Sequence, residues 1–213
     1  MGRQRDDVIA RLREKLLRGE LRQGVTFSEN ELAEEFGTSR TPVREAVAIL
    51  AHEGLLQQIP QVGVVVRELT RAEIEELVRV RIAVERLVAS AMSEHRPAEG
   101  LRHMDELLAA MHAAAQRGDK VGFLDADAEF HCSAADAIGY TLSAGVLRSI
   151  RDRIRILGLG AIERDEHMRT VLDEHDAILT AIRDGDPKLA AHAAEMHLTR
   201  TARRLGVDLV GDP

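Results

Sequence analysis

Apolar residues recur at helical spacing along most of the chain, and this periodicity predicts a mainly α-helical protein. Residues 7–18 form one apolar stripe, and two shorter helices are predicted within residues 28–54. Two short apolar runs at 55–59 and 64–67 flank a Pro-Gln-Val-Gly turn and predict a small β-hairpin. Beyond residue 70 the pattern predicts an all-α bundle of six helices, near residues 71–95, 98–117, 119–138, 141–158, 164–184 and 187–205.

Capping residues mark where several of these helices begin. Ser28 and Thr70 are each followed three residues later by Glu, the spacing of a capping box. Thr41-Pro42 is typical of an N-cap followed by proline at the first helical position. The helical pattern changes at Thr70, which predicts three segments: a winged helix-turn-helix domain at 1–69, an all-α domain at 70–206 and a frayed tail at 207–213.

Composition and charge exclude several classes of protein. No apolar run approaches the roughly 18 residues of a membrane-spanning helix, and no signal peptide is present, so a cytoplasmic protein is expected. The single cysteine, Cys132, excludes an intramolecular disulfide framework and a cysteine-based zinc finger. The net charge of −7 excludes a uniformly basic nucleic-acid binder. Residues 1–68 are nearly neutral, with ten Lys and Arg against eleven Asp and Glu, so a local basic surface is still possible there.

Residues 32–54 have the pattern of a helix-turn-helix, with a short helix, a tight turn at Gly37 and a second helix. The second helix begins with polar and basic residues, which are Ser39, Arg40, Thr41 and Arg44. A recognition helix enters the DNA major groove by its N-terminal residues, where Arg can bridge guanine O6 and N7. The alternative is an ordinary helical hairpin whose charged end is solvated.

The predicted bundle places ionisable residues within apolar stripes. Asp127 and His131 share one face of a helix, four residues apart. His175 and His197 each lie at the centre of the apolar stripe of another helix. A buried carboxylate is costly unless it is paired or bound to a metal, and these four side chains could surround one divalent ion. Zn²⁺ is the favoured ion, and Ni²⁺, Mn²⁺ and Fe²⁺ also suit this set.

Each of these residues also has a simpler interpretation. A histidine on an apolar face is often a core residue bonded to a carbonyl group, and Asp127 with His131 could form a surface pair. Arg81 lies on the apolar face of the helix at 71–95, where it could form an ion pair with Glu85 four residues later. The functional alternative is that Arg81, beside a metal site of positive charge, binds a small mono- or dicarboxylate.

The segment GELRQGVTFSENELAEEFGTSRTPVREAVAILAHEGLL resembles the winged helix-turn-helix of GntR-family bacterial transcription regulators. The resemblance implies DNA contacts from Arg40, Thr41 and Arg44, with Ser39 nearby. It also implies contacts from two further residues, Asn30 and the wing residue Gly63. Many relatives carry basic residues before the wing glycine, whereas this chain has Gln-Val, which predicts weaker phosphate binding by the wing.

The C-terminal half resembles the FCD ligand-binding domain of the FadR branch of this family, through VRVRIAVERLVASAM, DADAEFH, EHDAILTAIRDGD and MHLTR. Six helices resemble the VanR-type subgroup. The resemblance implies that Arg81 helps to bind a carboxylate effector. It also implies a set of metal ligands, which are Asp127, His131, His175 and His197.

Together these patterns predict a ligand-responsive transcription regulator, a repressor rather than an enzyme. A homodimer is expected to bind double-stranded DNA at a palindromic operator, and a small organic acid to alter its affinity. One rival is a metalloenzyme, a hydrolase or a non-haem iron protein, that uses the same Asp and His residues. Another is an architectural DNA-binding protein whose metal is only structural.

Overall fold

The computed structural model describes the backbone of residues 2–161 and 165–209 and the side chains of residues 4–157 and 167–209. The chain divides into two compact units, Met1–Leu69 and Thr70–Pro213. The division falls at the Thr70 capping box, where the Thr70 hydroxyl accepts a hydrogen bond from the backbone N–H of Glu73 and the Glu73 carboxylate accepts one from Thr70 N–H.

The N-terminal unit contains three helices and a small antiparallel sheet in its described part. The elements are α1 (Gly2–Leu17), β1 (Thr26–Phe27), α2 (Glu29–Phe36), α3 (Arg40–His52), β2 (Leu56–Ile59) and β3 (Gly63–Val66). The sheet order is β1-β3-β2. The predicted hairpin is therefore confirmed, and β1 is an addition, because two residues carry too little pattern to be recognised and are held in place by pairing with β3.

Helix α3 begins two residues before the predicted start. Ser39 is its N-cap in extended conformation, and Arg40 is its first helical residue. The expected N-cap role of Thr41 is wrong, because Pro42 lies in the third helical position rather than the first. Proline is tolerated there because the backbone N–H groups of the first helical turn have no partner within the helix.

The core of this unit forms where α1, α2, α3 and the sheet pack together. One face of each helix supplies it, and the helical spacing of these apolar residues explains why they meet. Burial of each such side chain contributes about 1.5–3 kcal/mol of hydrophobic free energy. The largest buried contributors are Val8, Leu12, Leu16, Leu32, Phe36, Val43, Val47, Leu50 and Leu56.

Six helices make up the described part of the C-terminal unit, as the sequence predicts. They are α4 (Arg71–His95), α5 (Ala98–Arg117), α6 (Lys120–Ala137), α7 (Thr141–Ala161), α8 (Asp165–Asp184) and α9 (Pro187–Arg204). Residue 164, the predicted start of the fifth of these helices, lies outside the described residues. The fold is mainly α, with an N-terminal winged helix-turn-helix and a C-terminal helical bundle.

The bundle core is rich in alanine, methionine and leucine, and two phenylalanines lie at its centre. Phe123 and Phe130 on α6 are fully buried among side chains of α4, α5 and α8. The predicted frayed tail is wrong at its start, because Val207 is buried against Leu198 and Ala202. Residues 210–213 of that tail lie outside the described residues. None of the helices, within the described residues, is both long and apolar enough to span a membrane.

Candidate metal centre and DNA-reading surface

Four predicted ligands from three helices meet inside the C-terminal unit. Asp127 and His131 on α6, His175 on α8 and His197 on α9 each offer one ligand atom, and these atoms all lie within 4.8 Å of one another. His175 Nε2 lies 3.2 Å from His131 Nε2 and 3.2 Å from Asp127 Oδ1. The three histidines are buried and Asp127 is nearly so. The structure thus brings all four residues to one point.

The opposite nitrogen of each histidine ring is held by an acceptor. His175 Nδ1 donates to the carbonyl oxygen of Val171 at 2.8 Å. His197 Nδ1 donates to Glu174 Oε2 at 2.9 Å, and His131 Nδ1 lies 2.7 Å from Glu85 Oε2. An acceptor fixes the proton on Nδ1 of His175 and of His197, so their Nε2 atoms present lone pairs toward the centre. Glu85 lies close enough to His131 Nδ1 to favour the same tautomer of that ring.

Two arginines in turn anchor the glutamates. Arg81 Nε donates to Glu85 Oε1 at 2.6 Å, and both side chains are about 95% buried. Arg204 donates to both oxygens of Glu174, at 2.6 and 3.2 Å. Two buried chains of the form arginine–glutamate–histidine therefore orient the cluster from opposite sides, and the ion pair between Arg81 and Glu85 that the sequence suggested is present.

The electrostatics of the cluster favour a cation at its centre. Burial alone would raise the pKa of Asp127, but its hydrogen bond to His175 and the histidine charges hold that pKa well below its usual range. Burial would lower the pKa of His175, yet Asp127 outweighs burial and raises it. Burial, together with the charge of His175, lowers the pKa of His197 to about 4. The buried carboxylate of Asp127 thus favours positive charge at the centre of the cluster.

The donor set fits a divalent metal. Two nitrogens 3.2 Å apart cannot both present lone pairs without a proton or a cation between them. Zn–N bonds of 2.0–2.1 Å in tetrahedral geometry separate neighbouring ligands by about 3.3 Å. His175 Nε2 lies at nearly this distance from His131 Nε2 and from Asp127 Oδ1, whereas His131 Nε2 and Asp127 Oδ1 are 4.0 Å apart. Imidazole and carboxylate ligands with no thiolate suit Zn²⁺, Ni²⁺, Mn²⁺ or Fe²⁺. The fixed Nδ1 protons complete the arrangement that metal-binding histidines require.

A narrow cavity adjoins the cluster. Asp127 and His197 form part of its wall, so the candidate metal centre is accessible from it. Thr201 contributes a hydroxyl group, and Arg81 and Arg155 contribute positive charge. The remaining wall is apolar and consists of Leu77, Val78, Phe123, Leu124, Ile154, Leu157, Val171 and Leu205.

Helix α7 carries four arginines within eight residues, and Arg155 is the one of the four that lines this cavity. Its side chain is 12% exposed and pairs with Asp125 on α6. Its Nε is buried and has no hydrogen-bond partner among the described residues. Burial lowers the pKa of Arg155 from its ordinary value. The sequence alone did not distinguish Arg155 from Arg148, Arg151 and Arg153, because all four lie within two turns of one helix.

The predicted DNA-contacting residues are exposed on the N-terminal unit. Asn30, Ser39, Arg40, Thr41 and Arg44 all have exposed side chains. The Ser39 hydroxyl makes no capping hydrogen bond, so it is available to an external acceptor.

A groove brings the hairpin close to α2 and α3. It is lined by Asn30 at the start of α2, Arg40 at the start of α3 and the hairpin turn that includes Gly63. Gly63 has a φ of +141°, and a Cβ there would lie 2.8 Å from the carbonyl oxygen of Phe27. Glycine is therefore required at that position for close packing against β1, whether or not it contacts DNA.

Glu29 holds two of the exposed arginines. Arg44 Nε donates to Glu29 Oε2 at 3.2 Å, and Arg40 Nη2 lies 4.0 Å from the same oxygen. Glu29 is mostly buried, whereas both arginine side chains are at least 60% exposed. The carboxylate therefore holds the two guanidinium groups side by side. The sequence does not reveal this role, because it depends on the packing of α2 against α3.

A winged helix-turn-helix followed by an all-α unit is the architecture of bacterial transcription regulators. Solved structures show the same fold. A regulator described as a putative transcriptional regulator GntR from Rhodococcus sp. RHA1 matches with a TM-score of 0.82 and 26% identity, covering 97% of this chain and 99% of that one. E. coli McbR/YncC has a TM-score of 0.80 at 21% identity, covering 95% and 97%.

Sequence comparison identifies the family. Residues 4–66 match the bacterial regulatory proteins of the gntR family, and residues 76–200 match the FCD domain. The probable D-xylose utilization operon transcriptional repressor of Paenarthrobacter nicotinovorans is 34% identical over 190 residues, 86% of this chain and 80% of the relative. The gluconate operon transcriptional repressor of Bacillus licheniformis is 29% identical over 194 residues, 85% and 76% of the two chains. The chain belongs to the GntR family of bacterial regulatory proteins and carries an FCD domain.

Proposed function

We propose that this protein is a ligand-responsive transcriptional repressor that binds a palindromic operator in cytoplasmic DNA as a homodimer. Its head would read the operator, and its helical unit would bind a divalent metal and a small organic acid. Two relatives are named as transcriptional repressors, which supports repression rather than activation. The six helices α4–α9 in the described part of the helical unit support assignment to the VanR-like subgroup of the FadR branch.

The metal would be held by Asp127, His131, His175 and His197. When bound, it supplies a Lewis-acidic positive charge that attracts a carboxylate oxygen. Zn²⁺ is the favoured ion because imidazole nitrogens dominate the set. This proposal depends on one observation, the convergence of four ligand atoms within 4.8 Å beside a cavity.

Arg81 would hold the carboxylate effector from the cavity wall. It lines the cavity and is bound to Glu85 through Nε. A guanidinium carries five N–H donors in a planar fork, so the bond from Nε to Glu85 leaves others for a ligand. The same residue therefore both anchors Glu85 and faces the candidate effector.

The head would read DNA through Arg40, Thr41 and Arg44. Ser39 and Asn30 would contribute nearby contacts, and the Gly63 backbone would contribute the wing contact. The exposure of the five side chains supports this assignment. A pre-oriented arginine pair loses less conformational freedom on binding DNA, so Glu29 favours rapid docking of Arg40 and Arg44.

Operator binding would respond to the acid because the ligand binds two arrangements of the dimer with different affinities. The shift in operator affinity can be no larger than that difference. The relatives named above are regulators, and the comparisons give no support to the metalloenzyme alternative.

A mobility-shift assay on the DNA upstream of the protein's own gene tests this function. We expect a sequence-specific shift that changes when metal and small organic acids are added. Absence of any specific shift under all conditions would contradict a regulator and favour an enzyme. A shift that changes neither with chelator nor with acids would indicate a DNA-binding protein whose metal is only structural.

A further inference from the structure

We propose that the effector is a small monocarboxylate with an apolar body, and that Arg155 is a second residue that binds its carboxylate. This inference rests on the proposed function and narrows its ligand. It combines the pairing of charges around the cavity, the composition of the cavity wall and a buried donor without a partner.

The charges around the cavity balance in pairs, with one exception. Arg81 pairs with Glu85, and Arg155 pairs with Asp125. Behind the cluster, Glu174 is held by the mostly buried Arg204, and the half-exposed Arg200, whose charge is screened by solvent, lies 3.6 Å from the same carboxylate. Asp127 has only histidines as partners among the described residues. A divalent ion with neutral histidines and one Asp ligand therefore leaves a surplus of one positive charge.

A single carboxylate neutralises that surplus. A dicarboxylate would bring a second negative charge into a space whose remaining cations already have anionic partners. Burying an uncompensated charge is far more costly than burying an ion pair. The sequence suggested that Arg81 supplies a second positive charge for the ligand. Because Arg81 is paired with Glu85, a second carboxylate on the ligand would find no unpaired cation there.

The wall of the cavity selects the rest of the ligand. Apolar side chains from α4, α6, α7 and α8 cover most of it, and Thr201 is the uncharged polar side chain among the lining residues that the structure describes. Hydroxyl groups that lose water without gaining a partner disfavour binding. An aliphatic body gains affinity from the same wall, so a sugar acid is disfavoured and an apolar acid is favoured.

Arg155 provides the additional contact. Its Nε is buried without a hydrogen-bond partner among the described residues, and the residue lines the cavity together with Asp127 and His197. A buried donor without a partner is uncommon in folded proteins, and a ligand oxygen would satisfy it. Asp125 pairs with the charge of Arg155 but leaves this N–H without an acceptor. Nε–H is therefore available to donate a hydrogen bond to an oxygen of the ligand carboxylate.

Four six-carbon compounds test the ligand class on the full-length protein loaded with Zn²⁺. Isothermal titration compares 4-methylpentanoate, adipate, gluconate and 4-methylpentanamide. We expect 4-methylpentanoate to bind at least about tenfold more tightly than the other three, because each lacks either its single charge or its apolar body. Gluconate is included because one relative is named for the gluconate operon.

Binding of adipate or gluconate as tightly as 4-methylpentanoate would overturn the inference and leave the proposed sensor intact. Binding of none of the four compounds by protein that retains Zn²⁺ would overturn both the inference and the organic-acid part of the proposed function. Failure to retain Zn²⁺, measured by elemental analysis of the same sample, would identify the metal assignment as the error.

Two arginine variants test the role of Arg155. Arg155→Met keeps the aliphatic stem and removes the donor, and we expect at least about tenfold weaker binding of 4-methylpentanoate with unchanged Zn²⁺ content. Arg148→Met is the matched control, because Arg148 lies on the same helix and also pairs with an aspartate of α6, Asp136, but does not line the cavity. Equal affinity in the two variants would overturn the assignment of Arg155.

Discussion

At the scale of single residues, carboxylates orient the side chains that are proposed to contact DNA or metal. Glu29 holds the exposed Arg40 and Arg44, while Glu85 and Glu174 hold His131 and His197. In each case a buried or nearly buried glutamate fixes the direction of a group that would contact DNA or metal. Such partners reduce the conformational entropy lost on binding, so they are as important to the sites as the contacting residues.

Arg44 is predicted to carry part of the operator specificity. Arg44→Ala should weaken operator binding by about 1–3 kcal/mol, roughly 5- to 150-fold, and relax the preference at one base pair. Fluorescence anisotropy with operator and scrambled DNA measures both effects. Arg102→Ala is the control, since both arginine side chains are 63% exposed and paired with a glutamate, and Arg102 lies in the helical unit. Unchanged operator affinity in Arg44→Ala would remove this residue from the contact set.

His197 is predicted to be a metal ligand. His197→Ala should reduce Zn²⁺ affinity by about 100-fold or more, and Glu174→Gln by about 10- to 100-fold through loss of the carboxylate behind the ring. Competition with a fluorescent chelator measures both affinities, and circular dichroism checks the fold. His192→Ala on the same helix removes an exposed histidine and should have no effect. Equal Zn²⁺ affinity for His197→Ala and His192→Ala is the result that excludes His197 as a ligand.

At the scale of helices and strands, the sequence predicts what local rules determine. Capping boxes at Ser28 and Thr70 are formed, and Gly37 ends α2 in left-handed conformation. The predicted start of α3 is two residues too late. Thr41-Pro42 has the pattern of an N-cap followed by the first helical residue, but the N-cap is Ser39. Strand β1 has only two residues and depends on β3 for its definition.

The stripe positions of Asp127 and the three histidines could be predicted because helical periodicity identifies buried faces. The roles of Glu85, Glu174 and Arg155 could not. Glu174 is recognised by Arg204, 30 residues away on another helix, and no spacing rule connects them. Arg155 faces inward because α7 packs against α6, where it pairs with Asp125. The sequence shows four similar arginines on α7 and does not indicate which of them takes this position.

The capping box of α2 predicts a pH dependence of stability in the N-terminal unit. Hydrogen bonds from Ser28 lower the pKa of Glu31 below its ordinary value of 4.5. The charge therefore stabilises the folded state fully above pH 4.5, and this contribution is lost as the pH falls through the lower folded-state pKa. Glu31→Gln keeps an acceptor but removes the charge, so it should be less stable than wild type at pH 7 and nearly equal at low pH.

Urea unfolding at several pH values measures this difference. Glu34→Gln, an exposed change on the same helix, is the control and should show no comparable dependence. A stability difference between wild type and Glu31→Gln that stays constant from pH 7 to pH 3 would show that the charge of Glu31 does not contribute.

At the scale of the whole molecule, the chain separates the winged helix-turn-helix from the unit that carries the candidate metal centre. Each unit has its own hydrophobic core, and the metal cluster and cavity belong entirely to the helical unit. The acidic residues are concentrated in that unit, while the head is nearly neutral with arginines at the recognition helix. The two functions can therefore be perturbed independently, which makes their coupling measurable.

Metal is predicted to stabilise the helical unit selectively. At Zn²⁺ concentrations 100-fold above the dissociation constant, binding stabilises the folded state by about 2.7 kcal/mol, which corresponds to roughly 5–10 °C in a unit of this size. Differential scanning calorimetry with Zn²⁺ or with EDTA should show a shift in the transition of the helical unit and none in that of the head. Identical transitions in both conditions would argue against a metal site in the folded protein.

The coupling between the two units is tested most directly by operator affinity measured with and without the acid. Fluorescence anisotropy should show that 4-methylpentanoate changes the operator dissociation constant of the Zn²⁺-loaded protein by about fivefold or more, in the range of typical allosteric coupling. The change should be absent in His197→Ala, which still carries an intact head. An equal change in both proteins, or no change in the Zn²⁺-loaded wild type, would contradict a sensor built around this metal centre.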